Sequence, residues 1–309
     1  MRAGDPQRIL VLGGYGAVGR EAVSALRDWY DGELIVAGRN PGKGELRLDV
    51  GDLTALQDVV SEVDAVLNCV ELNNSLVAEV CLRHGVHYLD VTATPEVLRG
   101  IEALDPIAGE STAVLSVGLA PGVTNLLAAL CTGPEVRVGV LLGAGERHGR
   151  AAIEWTLDGL AQLGDAWPMR FPAPYGLRTV RRFPFPGPET GLCLDSRPLT
   201  ALLGTAARPS VRSVLQKPRI RSAAIAALSR THVGSDGFAV VATDGRCTAS
   251  LAGRRQSRAT GLVAALLIRR LSGFPPGVRH VEQLVDPAQF LDELASHGFR
   301  LEVDQYAPG

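Results

Sequence analysis

The stretch that decides the fold is RILVLGGYGAVGR, residues 8–20. Arg8 to Leu12 form a short apolar run of strand type. A glycine-rich turn follows, and a helical pattern continues to about Trp29. Gly14, Gly16 and Gly19 keep GxGxxG spacing between strand and helix, the context that turns a weak motif into a specific one. Gly14 is expected to permit the tight turn, Gly16 to let the backbone approach a pyrophosphate, and Gly19 to let helix and strand pack closely. The free N–H groups and dipole of the helix N-terminus then hold phosphate.

Outward from this loop, strands and helices alternate. The apolar runs 34–38, 65–70, 87–92 and 113–119, with the alternating 45–50, read as strands. Residues 53–62, 74–84 and 95–104 read as helices between them. That alternation predicts right-handed βαβ units and an α/β, doubly wound parallel sheet. After about residue 130 the pattern changes. A strand at 135–144, a helix at 151–163, a Pro-, Arg- and aromatic-rich stretch at 165–192 and a hairpin around Asp244-Gly245 read as a second, α+β domain. A strongly apolar helix spans 258–271, and a short helix and a strand are expected in 281–303. The expected domains are 1–130 plus about 255–309, and 131–254.

The second strand ends Ala37-Gly38-Arg39-Asn40, without the acid that binds a ribose 2′-hydroxyl in NAD sites. Arg39 instead suits a 2′-phosphate, which a guanidinium can hold bidentately, and Lys43 adds charge nearby. NADP(H) is the expected cofactor.

Composition excludes other classes. The 309 residues carry a formal net charge of -2, so no basic footprint for nucleic acid exists. Only Lys43 and Lys217 are lysines, which leaves little room for Schiff-base chemistry. Five cysteines form no CxxC and no metal-ligand spacing with histidine, so no metal is expected and reduced thiols in the cytoplasm are. Residues 111–134 are uncharged, but Pro121-Gly122 breaks them into a buried strand, a turn and a buried helix, not a membrane span.

Four stretches together resemble the saccharopine dehydrogenase-like reductase family, which includes saccharopine reductases and lysine 6-dehydrogenase-like enzymes. They are GGYGAVGR; AGRN with LDVGD; Asn68-Cys69-Val70 through VAEVCLRHGVHYLDVT; and GLAPGVTNLLA at 118–128. The likeness covers about residues 8–131 and is weaker over the last 50 or so. It implies a Rossmann domain, an inserted α+β domain that forms a homodimer interface, and a C-terminal helix returning to the first domain. It also implies cofactor contacts at Tyr15, Ala17 and Val18 in the loop, Arg39 and Asn40 at the 2′-phosphate, Asp49 and Val50 at the adenine, and Cys69 and Val70 toward the nicotinamide. Three departures stand at the ligand edge: Glu71-Leu72 where many relatives have Gly-Pro, Ala93-Thr94 where many have Gly-Glu, and Ala120 where some have Asp.

The cofactor carries the hydride chemistry, and the chain must orient a small-molecule substrate and supply a proton. Tyr88, Asp90 and Thr92 share one strand face by the period of two. Asp90 is a candidate acid or a cap for the following turn. Glu71 is a candidate to hold an amine or iminium, or a rim carboxylate. Cys69 reads as a packed residue. In the second domain Tyr175 is a candidate proton donor, beside His148 and Glu154-Trp155. Arg178, Arg181 and Arg182 are a carboxylate clamp or a solvated face. The aromatics Trp167, Phe171, Tyr175, Phe183 and Phe185 line a pocket or pack a core. The expected activity is NADPH-dependent reduction of a C=N bond in an amino-acid-derived or secondary-metabolite imine. The rivals are C=C or C=O reduction of an apolar molecule, and a non-catalytic NADP(H) sensor.

Overall fold

The computed structural model describes residues 6–40, 45–146, 150–196, 200–201, 204–205, 208–215, 217–228 and 234–305. Lys43 and His148 lie outside them. The chain divides into two units, Met1–Gly122 with Ser257–Asp286, and Val123–Gln256 with Pro287–Gly309.

The first unit is built on a parallel sheet of β1 (Arg8–Leu12), β2 (Glu33–Gly38), β3 (Leu46–Arg47), β4 (Ala65–Asn68), β5 (His87–Asp90), β6 (Thr112–Leu115) and a late strand, β13 (Gly277–His280). Their order is β13-β6-β5-β4-β1-β2-β3, every pair parallel. The order reverses between β1 and β4, so the crevice at the carboxyl ends of those strands is where such sheets take ligands. β1, β4 and β6 are buried on both faces, as their unbroken apolar runs require. The helices α1 (Ala17–Arg27), α2 (Leu53–Val60), α3 (Asn74–Arg83) and α4 (Pro95–Glu102) connect the strands. The apolar helix Gln256–Ile268 returns to this unit, where Gly261 packs on the backbone of α1 at Ala22. The expected break at Pro121-Gly122 is present: β6 ends at Leu115, Gly122 has φ 130°, and a helix follows at Thr124–Ala129.

The second unit is a mixed sheet of β7 (Arg137–Leu142), β8 (Ala166–Phe171), β9 (Gly176–Arg182), β10 (Glu189–Leu194), β11 (Gly237–Thr243), β12 (Cys247–Arg254) and β14 (Arg300–Gln305), in the order β14-β12-β11-β7-β10-β9-β8. Only β7 and β10 run parallel. The expected boundaries need correction at two places. Residues after 286 were assigned to the first domain, yet β14 pairs with β12, and the helix Pro287–Ser296 buries Phe290, Leu291 and Leu294. Phe299 explains the placement: it fills the space a side chain at Gly253 would need and meets Phe238 at 5.6 Å. Residues 123–130 also belong to this unit. The aromatics pack together: Trp155, Phe183 and Phe185 meet edge-on or tilted with ring centroids 5.0–5.2 Å apart, and Trp167, Phe171 and Tyr175 join one apolar cluster.

The glycine roles differ in one respect from expectation. The left-handed residue of the turn is Gly13, at φ 72°, not Gly14. Gly14 is needed for space, because a Cβ there would lie 2.4 Å from Val36 Cγ1. A Cβ on Gly19 would lie 2.4 Å from the Gly13 carbonyl oxygen and 2.7 Å from Gly14 Cα. Gly19→Ala is therefore expected to push α1 off the loop and destabilise the protein by roughly 1–3 kcal/mol. Urea unfolding measures that loss, and an unchanged midpoint would contradict the close approach.

Candidate active site

The loop presents an anion site. Gly13 N–H donates to Ala37 O at 3.0 Å and Gly16 N–H to Gly13 O at 2.9 Å, which fixes the turn. Gly16 caps α1 without a side-chain hydrogen bond, and the first turn carries no acid. The N–H groups of that turn lack intrahelical acceptors and carry the positive end of the dipole. Ala17 and Val18 are half-buried there. Tyr15 is exposed, and its hydroxyl accepts from Glu45 N–H at 3.1 Å and donates to Val36 O at 3.4 Å. This lays its ring beside Gly38 at the tip of β2.

Arg39 and Asn40 follow that tip and are exposed. No described residue pairs with Arg39, so its guanidinium is available to a phosphate. Asp49 is exposed and accepts Gly51 N–H at 3.0 Å, while Val50 is buried beside it. Cys69 N–H donates to Leu12 O at 3.0 Å, and the Cys69 carbonyl and Val70 side chain pack against the place where Gly13 lacks a Cβ. The Cys69 thiol is held protonated by burial and by the nearby charge of Asp90, so it is a packing group.

At the ends of β4 and β5 sits a buried polar hub. Asp90 is fully buried. Its carboxylate accepts from the Tyr88 hydroxyl, from Thr92 N–H at 2.8 Å, from Asn74 Nδ2 at 3.0 and 3.2 Å, and from Asn68 Nδ2 at 3.3 Å. Burial pushes the Asp90 carboxyl above its ordinary range, and the hydrogen bonds pull against it. Burial and the same charge hold the Tyr88 hydroxyl protonated. With its acceptor positions filled, Asp90 ties strand ends together, the turn-capping role weighed for it above. Asn74, the first residue of α3, escaped sequence reasoning, and Asn68 entered it only through the family resemblance.

Glu71 lies just beyond Val70, and the Thr92 hydroxyl donates to its Oε2 at 3.0 Å. The residue as a whole is exposed, yet neighbouring atoms crowd its carboxylate. This loss of solvent, then the Asp90 charge, push the Glu71 carboxyl up to about 7 against the Thr92 hydrogen bond. Glu71, Thr92, Cys69 and Val70 thus share one strand-end edge of the first unit. Tyr175 belongs to the second unit, at the turn between β8 and β9.

Residues 9–114 match the family described as saccharopine dehydrogenase NADP binding domain. Among solved structures, the apo saccharopine dehydrogenase (L-Glu forming) of Saccharomyces cerevisiae aligns at TM-score 0.66 and 16% identity, covering 97% of this chain and 100% of that one. The diaminopimelate (DAP) dehydrogenase of C. glutamicum aligns at TM-score 0.52 and 14% identity, over 94% and 98%. An engineered D-amino acid dehydrogenase bound to NADP+ aligns at 0.50 and 15%, over 94% and 99%. No match is found among curated proteins. The fold and loop define an NAD(P)-dependent oxidoreductase with NADP(H) as its cofactor. The segment that matches this family lies wholly within the first unit. Among the described residues no helix is long and apolar enough to cross a membrane.

The raised Glu71 carboxyl has a stability consequence with a definite sign. Unfolded, the group titrates near 4.5; folded, near 7. Between those values the native state binds more protons, so Glu71 lowers stability progressively as pH rises through the window. Glu71→Gln is expected to gain stability relative to wild type from pH 4.5 to 7 and to run parallel above it. Thermal midpoints across that range check this; parallel curves throughout would refute the shift.

Proposed function

We propose that the chain uses NADPH to reduce a C=N bond in an amino-acid-derived substrate, with Glu71 as the proton donor. The observation that carries the proposal is the Glu71 carboxyl, raised to about 7 at the edge beside Cys69 and Val70. A group with that pKa holds a proton in about half the molecules at neutral pH and gives it up readily. Two fold relatives are amino-acid dehydrogenases by name, which supports the substrate class.

The nicotinamide cofactor supplies the hydride when bound. The residues present fit it: the loop N–H groups and the α1 dipole would hold the pyrophosphate, Arg39 and Asn40 the 2′-phosphate, Tyr15 the adenosine side, Asp49 and Val50 the adenine, and Cys69 and Val70 would lie toward the nicotinamide. Lys43 is expected to add charge at the 2′-phosphate. The Thr92 hydroxyl orients the Glu71 carboxyl, and Asp90 fixes Thr92 through its N–H. The protonated form of Glu71 would donate its proton to the substrate nitrogen as the bond is reduced, and the resulting carboxylate would accept a hydrogen bond from the product amine. Tyr175 remains a second candidate donor, half-buried with its hydroxyl bound to Ser235. The proposal includes a cytoplasmic homodimer, in keeping with the family resemblance and the reduced thiols.

Two variants test this. Arg39→Ala is expected to weaken NADPH about 10- to 100-fold and leave NADH nearly unchanged, because only the 2′-phosphate loses its bidentate partner. Fluorescence titration reads both constants, and equal loss for the two cofactors would reject the assignment. Glu71→Gln is expected to lower kcat by about 10²-fold or more in an imine panel with little change in KM. Absence of NADPH oxidation by wild type across that panel, with tight cofactor binding, would sink the imine reading.

A further inference from the structure

We infer that the corner between the helices Pro209–Leu215 and Pro218–Leu228 docks the second unit on an anionic lipid surface, with Val214 and Ile220 dipping below the head groups and Lys217 and Arg219 pairing with lipid phosphate. The inference goes beyond the proposed reaction and uses none of its residues.

The charge pattern is the first observation. Residues 196–235 hold seven of the chain's 31 arginines and lysines and none of its 33 acids. The whole chain carries a net charge of -2, so this excess of positive charge is local. A surface of one sign gathers partners of the other. Arg208, Lys217 and Arg219 are exposed here, and no described residue pairs with their side chains.

The corner is a built feature. Pro209 and Pro218 each open a helix, the position where a missing N–H costs least. Lys217 joins the two: its N–H donates to Val214 O at 3.1 Å, and its carbonyl accepts Arg221 N–H at 2.9 Å. The second helix is seated through one side. Ile225 is buried, and Arg221, four residues earlier on the same face, pairs with Asp158 at 2.7 Å. The Arg221 charge is thereby neutralised against the body of the unit. Ile220, Ala223 and Ala227, at the spacing of a single helix face, lie on another side and are exposed.

Apolar exposure coincides with the positive charge. Val214 is 43% exposed and Ile220 38%, on either side of Lys217, Pro218 and Arg219, which are all exposed. Branched apolar side chains inside a basic collar match the two layers of a lipid interface, the acyl boundary below and anionic head groups above. The long stems of Lys217 and Arg219 keep their charges at head-group level while the corner sinks. A nucleic acid would engage the collar alone and leave Val214 and Ile220 in water. Corner-to-corner pairing of two copies would set like charges against each other.

The test is sedimentation of the full chain with vesicles of phosphatidylcholine, with and without about 30% phosphatidylglycerol. Binding to the anionic vesicles is expected to be about tenfold or more tighter than to the neutral ones, and to be lost in about 1 M salt. Lys217→Glu combined with Arg219→Glu is expected to weaken it about tenfold or more. Val214→Ser combined with Ile220→Ser is expected to weaken it about threefold or more and to leave the salt dependence in place. All four side chains are exposed, so circular dichroism and NADPH affinity should match wild type in both variants. Failure of wild type to sediment with the anionic vesicles overturns the inference, as does full binding by either double variant. Equally tight binding to duplex DNA without lipid overturns it in favour of a nucleic acid. A dimer that dissociates on the charge reversal, read by sedimentation velocity, overturns it in favour of a second copy.

Discussion

The carboxylate of Asp90 is sealed from water, and the ligand edge of the first unit is organised around that fact. A buried carboxylate is tolerable only when its oxygens are fully occupied. Here the donors come from β4, β5, the start of α3 and the turn after β5. Satisfying one charge therefore fixes four chain segments at the strand ends. It also sets Thr92, which orients Glu71, and supplies the negative field that helps keep Glu71 protonated near neutrality. The two carboxylates differ: Asp90 is saturated and holds the edge, while Glu71 keeps a single side-chain hydrogen bond, from Thr92.

The cofactor side depends on closeness more than on charge. Gly13, Gly14 and Gly19 allow the turn, the strand and the helix to approach within distances that any side chain would forbid. That contact aims the unpaired N–H groups of α1 into the crevice. Among the described residues, Arg39 stands exposed at the tip of β2, where NAD-specific sheets carry an acid.

The second unit shows how similar residues acquire different meanings. Arg178, Arg181 and Arg182 lie on one strand, and the sequence offers no basis for separating them. Strand alternation puts Arg181 on the face opposite Arg178, while Arg182, on the same face as Arg178, is exposed at the end of β9 and pairs with Glu189. The aromatics, expected to line a pocket or pack, fill space around Trp155 and Phe183.

The parallel sheet, the glycine turn between strand and helix, and an exposed arginine at the tip of the second strand were legible in the sequence because each is written locally, in strand runs, glycine spacing and the residue at one strand tip. The break at Pro121-Gly122 was legible for the same reason. Tertiary structure alone decided that Gly13 is the left-handed residue, that β14 joins the second sheet, that Asp90 is saturated and that Glu71 titrates near 7. Those properties depend on which distant atoms surround a group, and burial and hydrogen-bond partners are set by packing between segments far apart in the chain.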